Sequence, residues 1–508
     1  MPFELTKRFD ETDVPKSNTN RVAHASCSLL QVFIAFTTGF LSLVWQTVAL
    51  RIGVQEIGAN RATSAAVLAF AMLGLALGAI FLGRLADQNR FRNWLAQAMF
   101  GLVSLLTLLF AFVGRPLAAG FSESLSSANS IGAGWAPLAF AFSVILPVHV
   151  LIGGIIPSLV AWRSVKDTNG KPFVLRRTVS LLYALETIGA AAGAILTVFI
   201  LVPVFGLFNS LAGCGLTGVL VSILSFLVSK GTNRRSENDS FARSSLGESE
   251  IPNKSSRSAI LLLAVMMSSF ASLGMELIWQ RYFVYVFGSD SRSYAVVVAV
   301  MLVGLAIGSS LAGIKWLRGK SHGAYSLTLI SIGCFISLSL LTLSYGMQVE
   351  TIRTSLNWLL LSPFLSRFLL AVAVLLLPAV AVGFAFPLAG DLWCDQNNSI
   401  GKGIGGLYGV VALANVLGIF CTAIFLIPMF GLWRSGVILG ALPVIAGVCF
   451  AFGCCTGSAD NRFKLAIPVV VTAMICVGLF AVAYQRPVKA GVVPQLSLIH
   501  ISEPTRPY

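Results

Sequence analysis

Displaced by 230 positions, the first half of the sequence falls on the second half without a gap, and the coincidences are residues that govern helix packing. Phe40, Ser42, Leu43 and Arg51 meet Phe270, Ser272, Leu273 and Arg281. Gly58 meets Gly288, the run GLALG from Gly74 to Gly78 meets GLAIG from Gly304 to Gly308, and Gly153 and Pro157 meet Gly383 and Pro387. With the displacement shortened to 225, Tyr183, Gly193, Pro203 and Gly206 meet Tyr408, Gly418, Pro428 and Gly431. One register held through so many glycines and prolines marks a duplicated unit, and pseudo-symmetric halves are a feature of transporter-like membrane folds.

Hydropathy says what the unit is made of. Of the residues 56% are hydrophobic and 11% charged, with a mean hydropathy of +0.85, far outside the range of soluble domains. Apolar stretches long enough to cross a ~30 Å hydrocarbon core, about 20 residues each, recur six times within residues 29–228 and six times within 259–453, and a thirteenth spans 465–484. The expected fold class is an all-α polytopic membrane protein of two parallel six-helix repeats plus a thirteenth helix. Six is an even number, so both repeats enter the membrane from the same side, and their mutual axis stands normal to it. Residues 1–28 read as a polar cytoplasmic tail with no cleaved signal peptide, and 229–258, rich in Ser, Asn and Arg, as a cytoplasmic linker.

A net charge of +15 does not indicate nucleic acid here. Lys and Arg crowd the N-terminal tail and the loops on its side of the membrane, which is the positive-inside bias and puts the N-terminus in the cytoplasm. Lipid headgroups are the partners this charge implies. The nine cysteines show no metal-ligand spacing and no extracytoplasmic loop offers a pair for a disulfide, and the adjacent Cys454 and Cys455 read as two reduced thiols at a helix end.

Gly83-Arg84-Leu85-Ala86-Asp87, with Arg92 and Leu95 following, resembles the loop motif between helices 2 and 3 of the major facilitator superfamily. The resemblance implies that Asp87 and Arg92 latch the cytoplasmic ends of the two halves in one state; an ordinary basic loop holding an aspartate is the other reading. The second copy, Gly313 to Arg318, lacks the acid. A narrower resemblance is to the membrane portion of the fused facilitator and spermidine-synthase-like proteins of bacteria. It is carried by Glu276, Trp279 and Arg281 closing the first helix of the second repeat, by the GLALG-type second helices, and by Tyr183-Ala184 followed by LVPVFGL at Leu201 to Leu207, repeated as LIPMFGL at Leu426 to Leu432. The chain departs from that pattern at Gln46, where the first repeat has no acid, and at Glu186, where asparagine is usual. The resemblance implies a bacterial inner-membrane protein. The soluble aminopropyltransferase-like domain has no counterpart, because only residues 485–508 follow the thirteenth span. Leu496 to Arg506, LSLIHISEPTR, resembles translated sequencing adapter, so native sequence is expected to end near Gln495, with a further helix and a cytoplasmic domain beyond it. No catalytic residue, metal or cofactor is expected within the chain.

Polar groups inside a bilayer are costly and are functional candidates by default. Glu186, about nine residues into the fifth span, is the foremost. It suits binding of a cation such as a polyamine, or proton exchange, against the plainer reading of a carboxyl bonded to a neighbouring helix. His149, between Pro147 and Gly153, reads either as a cavity residue or as a packed hydrogen-bonding one. Gln46 and Glu276 are equivalent, with Arg51 and Arg281 beyond them, which suggests an outer gate or a set of interfacial anchors. Asn415 is expected to face Glu186 across the pseudo-axis. Gly74, Gly78, Gly304 and Gly308 read as close-packing positions needing no ligand. Two functions remain: a carrier of a small cationic solute, or a non-transporting membrane anchor of an aminopropyltransferase-like enzyme.

Overall fold

The structure, a computed structural model, describes residues 18–57, 61–88, 91, 94–126, 130–164, 172–233, 254–287, 290–314, 321–346, 363–394 and 400–454, with four positions between 472 and 479. Among these there is no strand. In lipid every backbone N–H and C=O must be satisfied within the segment, and helices do this. The first repeat comprises α1 (Asn18–Ile57), α2 (Arg61–Ala86), α3 (Leu95–Ser126), α4 (Ser130–Phe140) running into α5 (Leu146–Ser164), α6 (Pro172–Leu196) running into α7 (Val202–Phe205), and α8 (Leu207–Asn233). The second comprises α9 (Lys254–Phe287), α10 (Asp290–Ala312), α11 (Ser321–Gly346), α12 (Pro363–Cys394), α13 (Ile400–Cys421) and α14 (Ile427–Cys454). Among the described residues eleven apolar helical stretches are long enough to cross a membrane. The last, Gly401–Gly453, has 53 residues, ~80 Å at 1.5 Å per residue, and makes two crossings. The twelve crossings match the expected six plus six; the thirteenth span at 465–484 falls almost wholly outside the described residues.

Within each repeat the helices pair in the same way: α1 with α6, α2 with α5 and α3 with α8, and correspondingly α9 with α13, α10 with α12 and α11 with α14. Glycine makes these contacts possible. A Cβ on Gly78 would overlap the carbonyl of Val150, and one on Gly308 the carbonyl of Val380. Gly153 and Gly383 face the Leu75 and Leu305 carbonyls in return. Gly74 rests on His149, with the His149 Cβ 2.6 Å from where its own would be, and Gly304 rests on Ala379. The four glycines singled out from sequence therefore sit where two backbones touch. In both repeats a tryptophan of the first helix pins the third: the Trp45 indole N–H donates to the Thr107 hydroxyl at 2.6 Å, and Trp279 donates to Ser339 at 3.2 Å.

The ends of the fifth and eleventh crossings are also copies. Each passes through one π-helical turn, Thr197–Leu201 and Thr422–Leu426, and then breaks at a glycine with positive φ, Gly206 at 79° and Gly431 at 73°. The π turns widen the helix before the proline of LVPVFGL and LIPMFGL, and the left-handed glycine lets the next crossing turn back. Cys334 on α11 is disulfide-bonded. Pairing depends on which helices pack together within about 7 Å, and spacing along the chain does not carry that. Two glycine replacements separate two costs. Gly206→Ala meets nothing within 4 Å, so its loss should be the ~1–3 kcal/mol of a backbone at φ 79° and ψ 176°, a region essentially restricted to glycine. Gly78→Ala must push α2 from α5 and should lower the thermal midpoint in detergent further; equal midpoints would refute the contrast.

Candidate functional site

Between the halves lies a cavity of about 200 Å³. The halves meet along two seams related by the pseudo-axis, α2 against α13 and α6 against α10, and the cavity is framed by both. Its polar wall comes from Gln46 on α1, Glu186 on α6, Glu276 on α9 and Asn415 on α13. Glu186 and Asn415, with Gln46 and Glu276 of the first helices of the two repeats, are thus brought to one space. Asn415 shares it with Glu186.

Glu186 is aimed there by backbone packing. Gly189 and Gly193 sit against the carbonyls of Phe36 and Phe40, and Gly39 sits against the carbonyl of Glu186 itself, which fixes the rotation of α6 on α1. Glu186 and Asn415 are each 8% exposed, and Glu186 Oε2 and Asn415 Oδ1 have no hydrogen-bond partner in the protein. Buried polar atoms are normally satisfied, so two bare oxygen acceptors on one cavity are donors' places left open. Beside them stands an aromatic wall: the Tyr183 and Phe386 rings lie 4.8 Å apart, and Phe386 meets Tyr408 edge-on at 5.8 Å. Tyr183 and Tyr408 are equivalent residues of the two repeats. Sequence reasoning used them as repeat markers and missed them as cavity residues, although their helical spacing from Glu186 and Asn415 was the available signal.

Gln46 and Glu276 are lining residues and not only rim anchors. Glu276 accepts from the Gln280 amide at 3.2 Å. Gln46 reaches His149, with its Nε2 3.3 Å from the His149 Nε2. His149 is wholly buried and lies behind Gln46, outside the cavity lining. The helix break near it is the π turn Ala141–Ile145, ahead of Pro147. Arg51 and Arg281 follow on α1 and α9, outside the lining.

On the basic face the halves are tied together. Both carboxylate oxygens of Asp87 accept backbone N–H groups at the start of α13, from Gly401 and Lys402, each at 2.7 Å. An acid at a helix N-terminus satisfies free donors and meets the positive end of the dipole. Gly83 lets the two helices close to this distance, its Cβ position being 3.0 Å from the Gly401 carbonyl. Arg92 lies outside the described residues. The second repeat has lost that aspartate, and the other seam is held differently. Ser180 donates to the Ser309 carbonyl and Ser309 donates back to Ser180 at 2.9 Å, where the equivalent positions Gly405 and Ala79 pack backbone to backbone. Arg176, equivalent to Gly401, forms an ion pair with Asp391 of α12 at 3.5 Å, with 2% and 8% of the side chains exposed. Sequence reasoning missed Arg176, Asp391, Ser180 and Ser309; nothing local distinguishes a buried pair from loop charges.

No protein-family model matches the chain. It is 25% identical over 191 residues, 37% of its length, to Polyamine aminopropyltransferase 1 of Streptomyces coelicolor (strain ATCC BAA-471 / A3(2) / M145). The match covers 33% of that relative, so the chain spans about one-third of its length. Among solved structures, the fold is similar to a bacterial homologue of the iron transporter ferroportin in an outward-facing state, with TM-score 0.57 and 14% identity over 84% of this chain and 99% of that one. It is also similar to the human organic anion transporter MFSD10 (TETRAN), with TM-score 0.51 and 12% identity over 83% and 99%. At these identities the likenesses show the fold alone, an all-helical, multi-pass architecture.

The basic-face ion pair makes a direct test. Removing one partner of a buried pair leaves an uncompensated charge and costs ~3–5 kcal/mol. Asp391→Leu should therefore lower thermal stability sharply. Arg176→Met with Asp391→Leu should regain most of it; a double variant no better than the single would show that the two are not a pair.

Proposed function

We propose that the chain is a carrier for a small organic cation such as a polyamine, working by alternating exposure of the central cavity, and that it forms the membrane module of a spermidine-synthase-like protein. The observation that carries this reading is Glu186: a buried acid with a bare oxygen on a cavity at the interface of two pseudo-symmetric halves. A carboxylate in such a place calls for a cation or a proton. Three aromatic rings beside it favour an organic ammonium, whose attraction to ring faces is worth ~0.5–2 kcal/mol when desolvated. They do not favour a hard metal ion, and among the described residues no three of His, Cys, Asp and Glu gather to hold one.

The fold supports carriage in general and leaves the cargo open, since the two similar structures are named for iron and for organic anions. The partial likeness to a polyamine aminopropyltransferase points the choice toward polyamines. In this reading the protein resides in a bacterial inner membrane with its N-terminus and basic face in the cytoplasm. Asp87 on α13 and Arg176 on Asp391 then close the cytoplasmic side, and opening to that side breaks both. The same partial likeness to an enzyme favours a second reading, a non-transporting anchor of an aminopropyltransferase-like enzyme.

Proteoliposomes containing the chain distinguish them. Saturable spermidine uptake, reduced about tenfold or more by Glu186→Gln, an effect of at least ~1.4 kcal/mol, is the expected result. Correctly folded protein with no uptake in either form would leave the anchor reading standing.

A further inference from the structure

The cavity is chemically lopsided. At equivalent positions of the first helix in each repeat, α9 presents Glu276 and α1 presents Gln46. Only the first repeat places a histidine behind that position, since the equivalent of His149 is Ala379.

The tautomer of His149 follows from its contacts. Its Nδ1 lies 3.0 Å from the Ile145 carbonyl oxygen, one turn earlier on the same element. A carbonyl only accepts, so Nδ1 carries hydrogen, and in the neutral ring Nε2 is left as an acceptor. The group 3.3 Å from Nε2 is the Gln46 amide nitrogen, which must be the donor. The amide is planar and two-faced: with its NH2 turned to the ring, its carbonyl oxygen is left for the cavity that Gln46 lines.

We propose that His149 is a positioning residue that sets which face of Gln46 the cavity sees, and that a proton arriving at His149 reverses it. The inference rests on the organic-cation reading above and supplies its coupling. With the ring neutral, the Gln46 oxygen joins Glu186 and Asn415 as an acceptor for a cation. With Nε2 protonated, that nitrogen becomes a donor, the amide turns over to accept from it, and the NH2 group faces the cavity instead. A bound cation loses an acceptor and meets a donor of the same sign. The Gln46 amide swings off the ring, hydronium in the cavity passes one proton to Nε2 and leaves as water, and the amide returns turned over; no other bond is made or broken. The outcome is exchange of a proton for an organic cation at one site.

The surroundings leave this switch to few groups. Helix α2, which sets Gly74 against His149, has no titratable residue from 62 to 83, and α3 has none from 95 to 114. Helix α5 adds only Arg163, and α1 adds Arg21, His24 and Cys27 toward its start and Arg51 and Glu56 toward its end. Across the cavity α6 brings Tyr183 and Glu186, with Arg176 and Arg177 at its basic-face end, α9 brings Glu276, and α13 brings Tyr408, with Lys402 at its start and Cys421 at its end.

The test is equilibrium binding of radiolabelled spermidine to the full chain in nanodiscs, followed from about pH 8 down to about pH 4. The wild type should lose affinity at the lower pH. His149→Gln, which cannot take up the proton, should lose about tenfold of that fall between the two ends of the pH range, whatever its affinity at the higher pH, the effect expected of one acceptor. Gln46→Met, a variant that does not depend on the histidine fold, should bind at the higher pH about tenfold more weakly than wild type. Either variant folded with the wild-type profile overturns the switch alone. Wild-type protein that binds no spermidine at either pH overturns the carrier reading and the switch together.

Discussion

Glycine set against a backbone carbonyl is the contact on which the rest of this molecule depends. In lipid no hydrophobic force draws one apolar helix to another, so association relies on close van der Waals packing. The α2–α5 and α10–α12 pairs achieve it through Gly78 on Val150 and Gly308 on Val380. The α1–α6 pair achieves it through Gly39, Gly189 and Gly193, and α9–α13 through Gly418 on Phe270. A Cβ at any of these would separate the helices. Each half is therefore a stiff body, and the rotation of each helix about its own axis is set, including the rotation that turns Glu186 to the middle.

Between the stiff bodies the contacts are of another kind. Asp87 caps α13, the Ser180 and Ser309 hydroxyls exchange hydrogen bonds with each other's backbone, and Arg176 pairs with Asp391. These are polar contacts that can be exchanged for water when a face opens, whereas glycine-on-carbonyl packing has no such substitute. The pseudo-symmetry is strict in the backbone and relaxed in the chemistry. One seam uses an aspartate and backbone amides where the other uses an arginine on a different helix. A duplicated fold must conserve the geometry that lets two copies dock, while each copy's polar groups are free to diverge.

The central space follows the same logic. Tyr183 and Tyr408 are a symmetric pair, and Phe386 joins them into a wall. The acids are not symmetric, since Glu186 and Glu276 come from different crossings of different repeats, and Gln46 takes the place of an acid with His149 behind it. A cargo bound there meets a different surface from each half.

Much of the fold was legible in the order of residues. The twelve crossings, the duplication, the LVPVFGL and LIPMFGL corners and the packing glycines follow from hydropathy and register, because a membrane helix must be apolar for its whole length and a close contact must be glycine. The equivalence of Gly206 and Gly431 in sequence became the same left-handed turn in space. Glu186 and Asn415 were identifiable as misplaced polar residues in apolar spans. Which groups those residues would meet was not. The placing of Gln46 against His149, the join of Asp87 to Gly401 and Lys402, the burial of Arg176 with Asp391 and the bonding of Cys334 depend on which helices become neighbours and how each is rotated. Those are decided by packing between segments tens to hundreds of residues apart, so only the tertiary structure could settle them.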